Sequence, residues 1–269
     1  MSTVHTQPYF LTPLKPNPSY PLFIFLPGLG ETIELGQLQT AGLEAAFNVR
    51  YLMLPPQELS SWDILSQKVV DLTQSELKTE QPKSVYLCGE CFGACLALKV
   101  LLKAPQLFNR VILINPASSF HRLPWSHWTS FFTDWLPQSI YQVFSSAFLP
   151  FLASLKRTTP ANRQALLQSV RSAPLKASAH RLSLLTEFKI DKTQLHQLNQ
   201  AFLIIASKAD LLLPSFTEGQ RLVESLPNAC MVTLPNSGHA CLLEEKIKLF
   251  EIIKAANFLD NLSVLTDKL

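Results

Sequence analysis

Several things are missing from this 269-residue sequence, and each absence removes a class of function. No stretch reaches the roughly eighteen apolar residues of a membrane-spanning helix. The start, Met1-Ser-Thr-Val-His-Thr-Gln-Pro8, has neither a basic n-region nor an apolar h-region, so no secretory signal is expected and the protein is expected to stay in the cytoplasm. There is no P-loop, no GxGxxG fingerprint, no internal repeat and no low-complexity tract. Charge is sparse: 16% of residues are charged and the net value is +3, far below the basic density that phosphate-backbone binding requires, so nucleic acid is not an expected partner. The five cysteines are an odd number and cluster at Cys88, Cys91 and Cys95, which points to free thiols in a reducing compartment rather than a disulfide framework. A second ligand pair at zinc-like spacing is absent, so neither metal nor cofactor is expected.

Hydrophobic residues make up 47% of the chain, enough to bury one substantial core. Short runs rich in β-formers recur at Leu22 to Leu26, Val49 to Leu54, Val85 to Cys88, Val111 to Ile114, Phe202 to Ala206 and Cys230 to Leu234. Their near-continuous hydrophobicity suits parallel strands covered on both faces. Helical spacing falls between them, at Trp62 to Leu77 behind a Ser61 cap, Phe92 to Lys103, Phe216 to Leu226 and Leu243 to Phe258. The alternation predicts a mainly parallel α/β sheet of about six strands with helices on both faces. Residues 117–198 are the exception. They carry no clear strand but hold Trp125, Trp128, Trp135 and many phenylalanines, and prolines cut them into short helices. This interval is read as an inserted helical cap, leaving 1–116 and 199–269 as the core.

Within that frame, Leu87-Cys-Gly-Glu-Cys-Phe-Gly-Ala94 places Cys91 where a strand turns sharply into a helix. A nucleophile elbow needs small residues two positions before and after the nucleophile so that strand and helix can approach; Gly89 and Gly93 supply them. A thiol at a helix N-terminus is favoured as thiolate, and the Phe92 N–H is placed to bind an oxyanion. The nucleophile needs a base, and the base needs a carboxylate to orient it. Asp210 follows the strand ending at Ala206, and His239 follows the one ending at Leu234. In an open parallel sheet these strand ends share one edge with the elbow. His5 lies in the N-terminal tail and His121, His127, His180 and His196 in the cap, so His239 is the candidate base. The glycine-rich Leu26-Pro-Gly-Leu-Gly30 after the first strand offers a second oxyanion donor, the N–H of Leu29 or of Gly30, with Leu29 preferred. The order nucleophile, acid, histidine is that of the α/β-hydrolase fold.

Taken together, Leu26-Pro-Gly-Leu-Gly, Cys88-Gly-Glu-Cys-Phe-Gly-Ala-Cys-Leu-Ala-Leu, Ile114-Asn-Pro-Ala, Ala209-Asp-Leu-Leu-Leu-Pro-Ser and Asn236-Ser-Gly-His resemble the phytyl ester synthase/diacylglycerol acyltransferase-like branch of the α/β-hydrolase superfamily, over nearly the whole chain. The resemblance implies fatty-acyl transfer to a lipid alcohol such as phytol or diacylglycerol, from acyl-CoA, acyl-carrier protein or a glycolipid, at a photosynthetic membrane. The sequence departs from that branch in carrying Cys91 where serine is common, a feature shared with the Gly-x-Cys-x-Gly elbow of polyhydroxyalkanoate synthases, whereas dienelactone hydrolases use cysteine for hydrolysis. It also lacks the His-x4-Asp motif of the acyltransferase-like domain that plant members append. Transfer would then pass through an acyl-Cys91 thioester.

Phe120, Trp125, Trp128 and Phe131 are candidates to line an acyl channel and exclude water, with ordinary cap packing as the equal alternative. The apolar run Ile140 to Leu155, broken by Pro150, reads as a lid helix or as a surface docking on lipid. From Lys156 onward basic residues outnumber acidic ones, as a solvated surface or an attraction for anionic headgroups or carrier phosphates. Three rival functions remain: a cysteine-dependent esterase or thioesterase, a silent lipid-binding protein, and a redox protein using Cys88-Gly-Glu-Cys91 as a CxxC dithiol.

Overall fold

The computed structural model describes residues 6–12, 16–29, 33–124 and 149–260. Its strands are β1 (Tyr9–Leu11), β2 (Leu22–Leu26), β3 (Asn48–Met53), β4 (Val85–Glu90), β5 (Arg110–Ile114), β6 (Ala201–Ser207) and β7 (Ala229–Leu234). They form one seven-stranded sheet in the order β1-β3-β2-β4-β5-β6-β7. Every pairing is parallel except β1 with β3, where Phe10 lies opposite Leu52. The six runs singled out in the sequence are the six parallel strands. The added β1 is three residues long, too short to show a period of two.

The helices are α1 (Ile33–Leu43), α2 (Trp62–Glu80), α3 (Phe92–Lys103), α4 (Pro160–Ser172), α5 (Leu175–Glu187), α6 (Lys192–His196), α7 (Ser215–Ser225) and α8 (Leu249–Ala255). Two cores result from the alternation of side chains along the strands. On one face Ile24, Leu87, Val111, Leu113 and Ile204 pack under α2, α3, α5 and α7. On the other, Phe23, Phe25, Tyr86, Ile112 and Leu203 meet Leu43 of α1 and Leu249 and Ile253 of α8. β2 and β4 are buried along their whole length, and each large apolar side chain so removed from water contributes about 1.5–3 kcal/mol.

Ser61 caps α2 as its position before the helical run demands, with φ −64° and ψ 166°. Trp62 then anchors the helix: its indole N–H donates to the Leu184 carbonyl at 2.7 Å, and its ring stacks on Phe92 with centroids 4.8 Å apart. Two expectations need correction. The helix expected over Leu243 to Phe258 is a 3-10 turn at Cys241–Leu243 followed by the shorter α8. Tertiary bonds hold residues 244–248 out of helical geometry: Glu245 N–H donates to the Arg157 carbonyl at 3.1 Å, and Leu249 N–H, at the start of α8, to Gln39 Oε1 at 2.8 Å. Helix α1 was not expected, because Gly36, Thr40 and Gly42 lower its intrinsic preference.

Between β5 and β6 the described residues hold a 3-10 turn, Phe120–Arg122, and then α4, α5 and α6. Trp125, Trp128, Phe131 and Trp135, and most of the Ile140 to Leu155 run, lie outside the described residues. Among the described residues no helix is long and apolar enough to cross a membrane.

Candidate active site

Cys91 sits between β4 and α3 with φ 50° and ψ −108°, a backbone conformation that side chains other than glycine adopt only where the surroundings force it. The forcing is visible on both sides. A methyl group on Gly89 would lie 2.4 Å from the Gly93 carbonyl oxygen, and one on Gly93 would lie 1.9 Å from that of Leu26. Strand and helix are therefore at their closest approach, and α3 begins hard against the end of β2. The Cys91 N–H donates to the Ile114 carbonyl at 2.9 Å, and its own carbonyl accepts from Ala117 at 3.3 Å and from Ala94 at 3.2 Å.

Asp210 and His239 reach the same sheet edge from the ends of β6 and β7. His239 Nδ1 donates to Asp210 Oδ2 at 2.8 Å, and the two side chains are only 7% and 1% exposed. That bond leaves Nε2 to face the Cys91 thiol, the other side-chain hydrogen-bond partner of the ring. Burial opposes a charged imidazole, but the Cys91 sulfur and the Asp210 carboxylate outweigh it and hold His239 well above its ordinary value. For Asp210 burial would raise the carboxyl, yet the His239 charge, the Ser215 hydroxyl and the Leu213 N–H bring it below the usual carboxylate range. Its Oδ1 accepts from Leu212 and Leu213 N–H at 2.8 and 3.0 Å, and its Oδ2 from Ser215 Oγ at 2.5 Å. The carboxylate is thus fixed in orientation as well as charge.

The three residues expected to form the nucleophilic centre are thereby brought together. The first-turn N–H of Phe92 has no acceptor within α3, as for every helix start. Leu29 packs against the cluster that contains Cys91 and Phe92, while Gly30 lies outside the described residues. Phe120, 3% exposed, belongs to that same cluster. The remaining cap candidates lie outside the described residues.

Burial pushes Cys95 and Cys241 well above the usual thiol value and raises Cys230 as well. Cys88 belongs to the core on the opposite face of the sheet from Cys91, so the CxxC spacing does not bring its two sulfurs to one surface. Two of the basic residues beyond Lys156 are also engaged: Arg157 pairs with Glu244 at 2.5 Å, and Arg181 is lowered from its usual value by burial, which the nearby Glu58 carboxylate only partly offsets.

Sequence reasoning missed the residues that hold the histidine loop. Glu244, with a side chain 0% exposed, accepts from Ser237 Oγ at 3.0 Å and Gly238 N–H at 2.9 Å as well as from Arg157. The Ala240 N–H donates to the Leu152 carbonyl at 2.8 Å, joining the loop to the segment between β5 and β6. Asn115, also 0% exposed, donates from Nδ2 to the His239 carbonyl at 2.6 Å. Ser237 and Asn115 stand inside the noted Ser-Gly-His and Asn-Pro-Ala blocks, but nothing in those blocks tells which side chain binds which backbone group.

The chain has counterparts among known proteins. A family model, Hydrolase_4, described as serine aminopeptidase S33, matches residues 56–246. Phytyl ester synthase 1, chloroplastic, of Arabidopsis thaliana is 28% identical, over 89% of this chain and 37% of its own length. Phytyl ester synthase 2, chloroplastic, of the same plant is 26% identical, over 88% of this chain and 38% of its own. This chain therefore spans less than two fifths of either relative. Among solved structures, MGS-M2, an alpha/beta hydrolase enzyme from a Medee basin deep-sea metagenome library, superposes with a TM-score of 0.73 at 18% identity, covering 96% of both chains.

Proposed function

This chain belongs to the Hydrolase_4 (serine aminopeptidase S33) family and has the α/β-hydrolase fold, and on that footing we propose that it is an acyltransferase carrying a fatty-acyl group on Cys91 to a lipid alcohol. The observation that carries this reading is the buried His239–Asp210 pair beside a thiol in the strained elbow conformation. The likeness to two phytyl ester synthases supports phytol, diacylglycerol or a similar alcohol as acceptor. Acyl-CoA, acyl-carrier protein or a glycolipid serves as donor.

The cycle runs in two displacements. The Cys91 thiolate attacks the donor carbonyl, and the resulting oxyanion is held by the N–H groups of Phe92 and Leu29. As the carbonyl re-forms, the donor's leaving oxygen or sulfur departs with the proton from His239, and an acyl-Cys91 thioester remains. His239 then accepts the proton of the incoming alcohol, whose oxygen attacks the thioester. Cys91 leaves as thiolate beside the imidazolium and the product ester departs. Asp210 holds the imidazole tautomer and its orientation throughout. In this reading residues 117–198 serve as a cap that excludes water, with Phe120 along the acyl path, and the apolar and basic residues of the cap give peripheral contact with an internal membrane.

Hydrolysis is the second reading, since water can replace the alcohol in the second step without any change to the residues. The deciding experiment follows a labelled fatty-acyl donor in the presence of a lipid-alcohol extract, with Cys91→Ala as control. Ester formed by the native protein and absent with the variant is the expected result. Free fatty acid as the dominant product, equally dependent on Cys91, would make the protein a hydrolase.

A further inference from the structure

Asn115 stands immediately after β5, outside the set of residues that touch the acyl group, yet it is bonded to the end of β6 and to the histidine loop that follows β7. Its φ of 42° lies in the left-handed region, which asparagine tolerates better than most side chains. Its backbone N–H donates to the Ile205 carbonyl at 2.9 Å. Its side chain turns toward the histidine loop: Nδ2 donates to the His239 carbonyl at 2.6 Å and to Ser207 Oγ at 2.9 Å, and Oδ1 accepts from the Ser207 N–H at 2.8 Å. The Cys241 sulfur lies 3.6 Å from Nδ2. A primary amide buried at 0% exposure is costly unless its donors and acceptor are matched. Here both donors and the acceptor are matched, so the amide has one orientation and no freedom to turn over.

We infer that Asn115 is the positioning residue for His239, fixing the imidazole against Cys91 by holding the histidine's own carbonyl to the ends of β5 and β6. This rests on the reading of Cys91, His239 and Asp210 as the reacting set. Asp210 orients the ring about its own axis through Nδ1, but it does not fix where the His239 backbone stands. Asn115 does, alongside the Glu244 clamp on Ser237 and Gly238. The amide is not replaceable by its closest isosteres. A carboxylate at 115 keeps the acceptor for Ser207 N–H and sets a second oxygen against the His239 carbonyl. A leucine leaves that carbonyl and the Ser207 N–H buried without partners.

The test needs no knowledge of the natural substrate. Iodoacetamide alkylation of the Cys91 peptide, followed by mass spectrometry across pH 5 to 9 (roughly the range over which imidazole and thiol titrate), reports how well the imidazole supports the thiolate. Asn115→Gly accepts the positive φ and removes the amide, Asn115→Asp keeps the volume, and His239→Ala supplies the profile of a thiol without its base. Both Asn115 variants are expected to unfold cooperatively, to alkylate roughly tenfold more slowly at neutral pH, and to shift their pH profiles toward that of His239→Ala. Native profiles from folded Asn115 variants, with His239→Ala altered, would overturn the inference and leave the reacting set intact. An unchanged profile in His239→Ala would instead overturn the reacting set itself. Loss of the cooperative transition in both Asn115 variants would also count against the inference, because the residue would then support the fold as a whole rather than the ring.

Discussion

The elbow and the histidine loop meet at one point and are built in opposite ways. The elbow is a local, apolar construction. β4 and α3 are adjacent in sequence, buried along all of β4 and from Phe92 to Leu98 of α3, and forced together by two glycines whose missing side chains leave room for backbone. The histidine loop is a long-range, polar construction: Asp210, Asn115 and Glu244 grip it from separate segments, and Gln39 of α1 binds the stretch that follows through the carbonyls of Leu242 and Ile247. Sterics hold Cys91 and hydrogen bonds hold His239. A local motif is readable from its own residues, whereas a constellation of clamps is readable only once the chain has folded.

Breaking the steric half has the largest expected effect. Gly93→Ala would gain roughly 1 kcal/mol of helix propensity, but its methyl group would lie 1.9 Å from the Leu26 carbonyl oxygen, an overlap with backbone that has no rotamer to relieve it. The expected outcome is a loss on the order of 4 kcal/mol or more, seen as collapse of the denaturant midpoint or of soluble yield. Unchanged stability would mean that the two segments are not in contact.

Breaking the polar half leaves the fold and removes the chemistry. Asp210→Asn keeps the shape and the oxygen that accepts from Leu212 and Leu213, but it removes the charge and favours the wrong imidazole tautomer. Turnover is expected to fall by roughly 10³- to 10⁴-fold with a nearly native unfolding transition. A fall below tenfold would show that the histidine needs no carboxylate here.

The coupling of this pair to stability sharpens the contrast through pH. His239 is raised from its usual 6.5, so its contribution is complete below that value and is lost as pH climbs through the raised one. Asp210 is lowered from its usual 3.8, so its contribution is complete above that value and is lost as acid protonates the folded carboxyl. The stability difference between the native chain and Asp210→Asn should therefore be widest between those two values and shrink by about 1 kcal/mol toward either side. Chemical denaturation at several pH values checks this, and a pH-independent difference would mean that the pair carries no charge in the fold.

The smallest effect is expected at Cys88. It packs in the core across the sheet from Cys91, so Cys88→Ala should cost about 1 kcal/mol of stability and leave turnover unchanged. A large loss of activity, or redox-dependent protection of Cys91 that disappears in the variant, would revive the dithiol reading.

The same contrast explains what the sequence disclosed. The six parallel strands were legible because burial on both faces writes continuous apolar runs, and α3 because no breaker interrupts Phe92 to Lys103. The meeting of Cys91, Asp210 and His239 was legible because each follows a strand at a position where a parallel sheet gathers loops on one edge. β1 was hidden by its length and α1 by its glycines. The interruption before α8 was hidden because Glu244 to Lys248 carry helical propensity that tertiary hydrogen bonds override. Asn115 was hidden because a buried amide and a turn asparagine look alike until the His239 carbonyl is seen 2.6 Å away.

The central claim, that Cys91 carries the acyl group, is tested most directly by brief exposure of the native protein to a fatty-acyl thioester, acid quenching, and mass spectrometry of the peptide containing Cys91. The account predicts an acyl adduct on Cys91 that discharges to ester when a lipid alcohol is added and that is absent in Cys91→Ala, together with all turnover. Acyl label on another residue, or native turnover from Cys91→Ala, would contradict it.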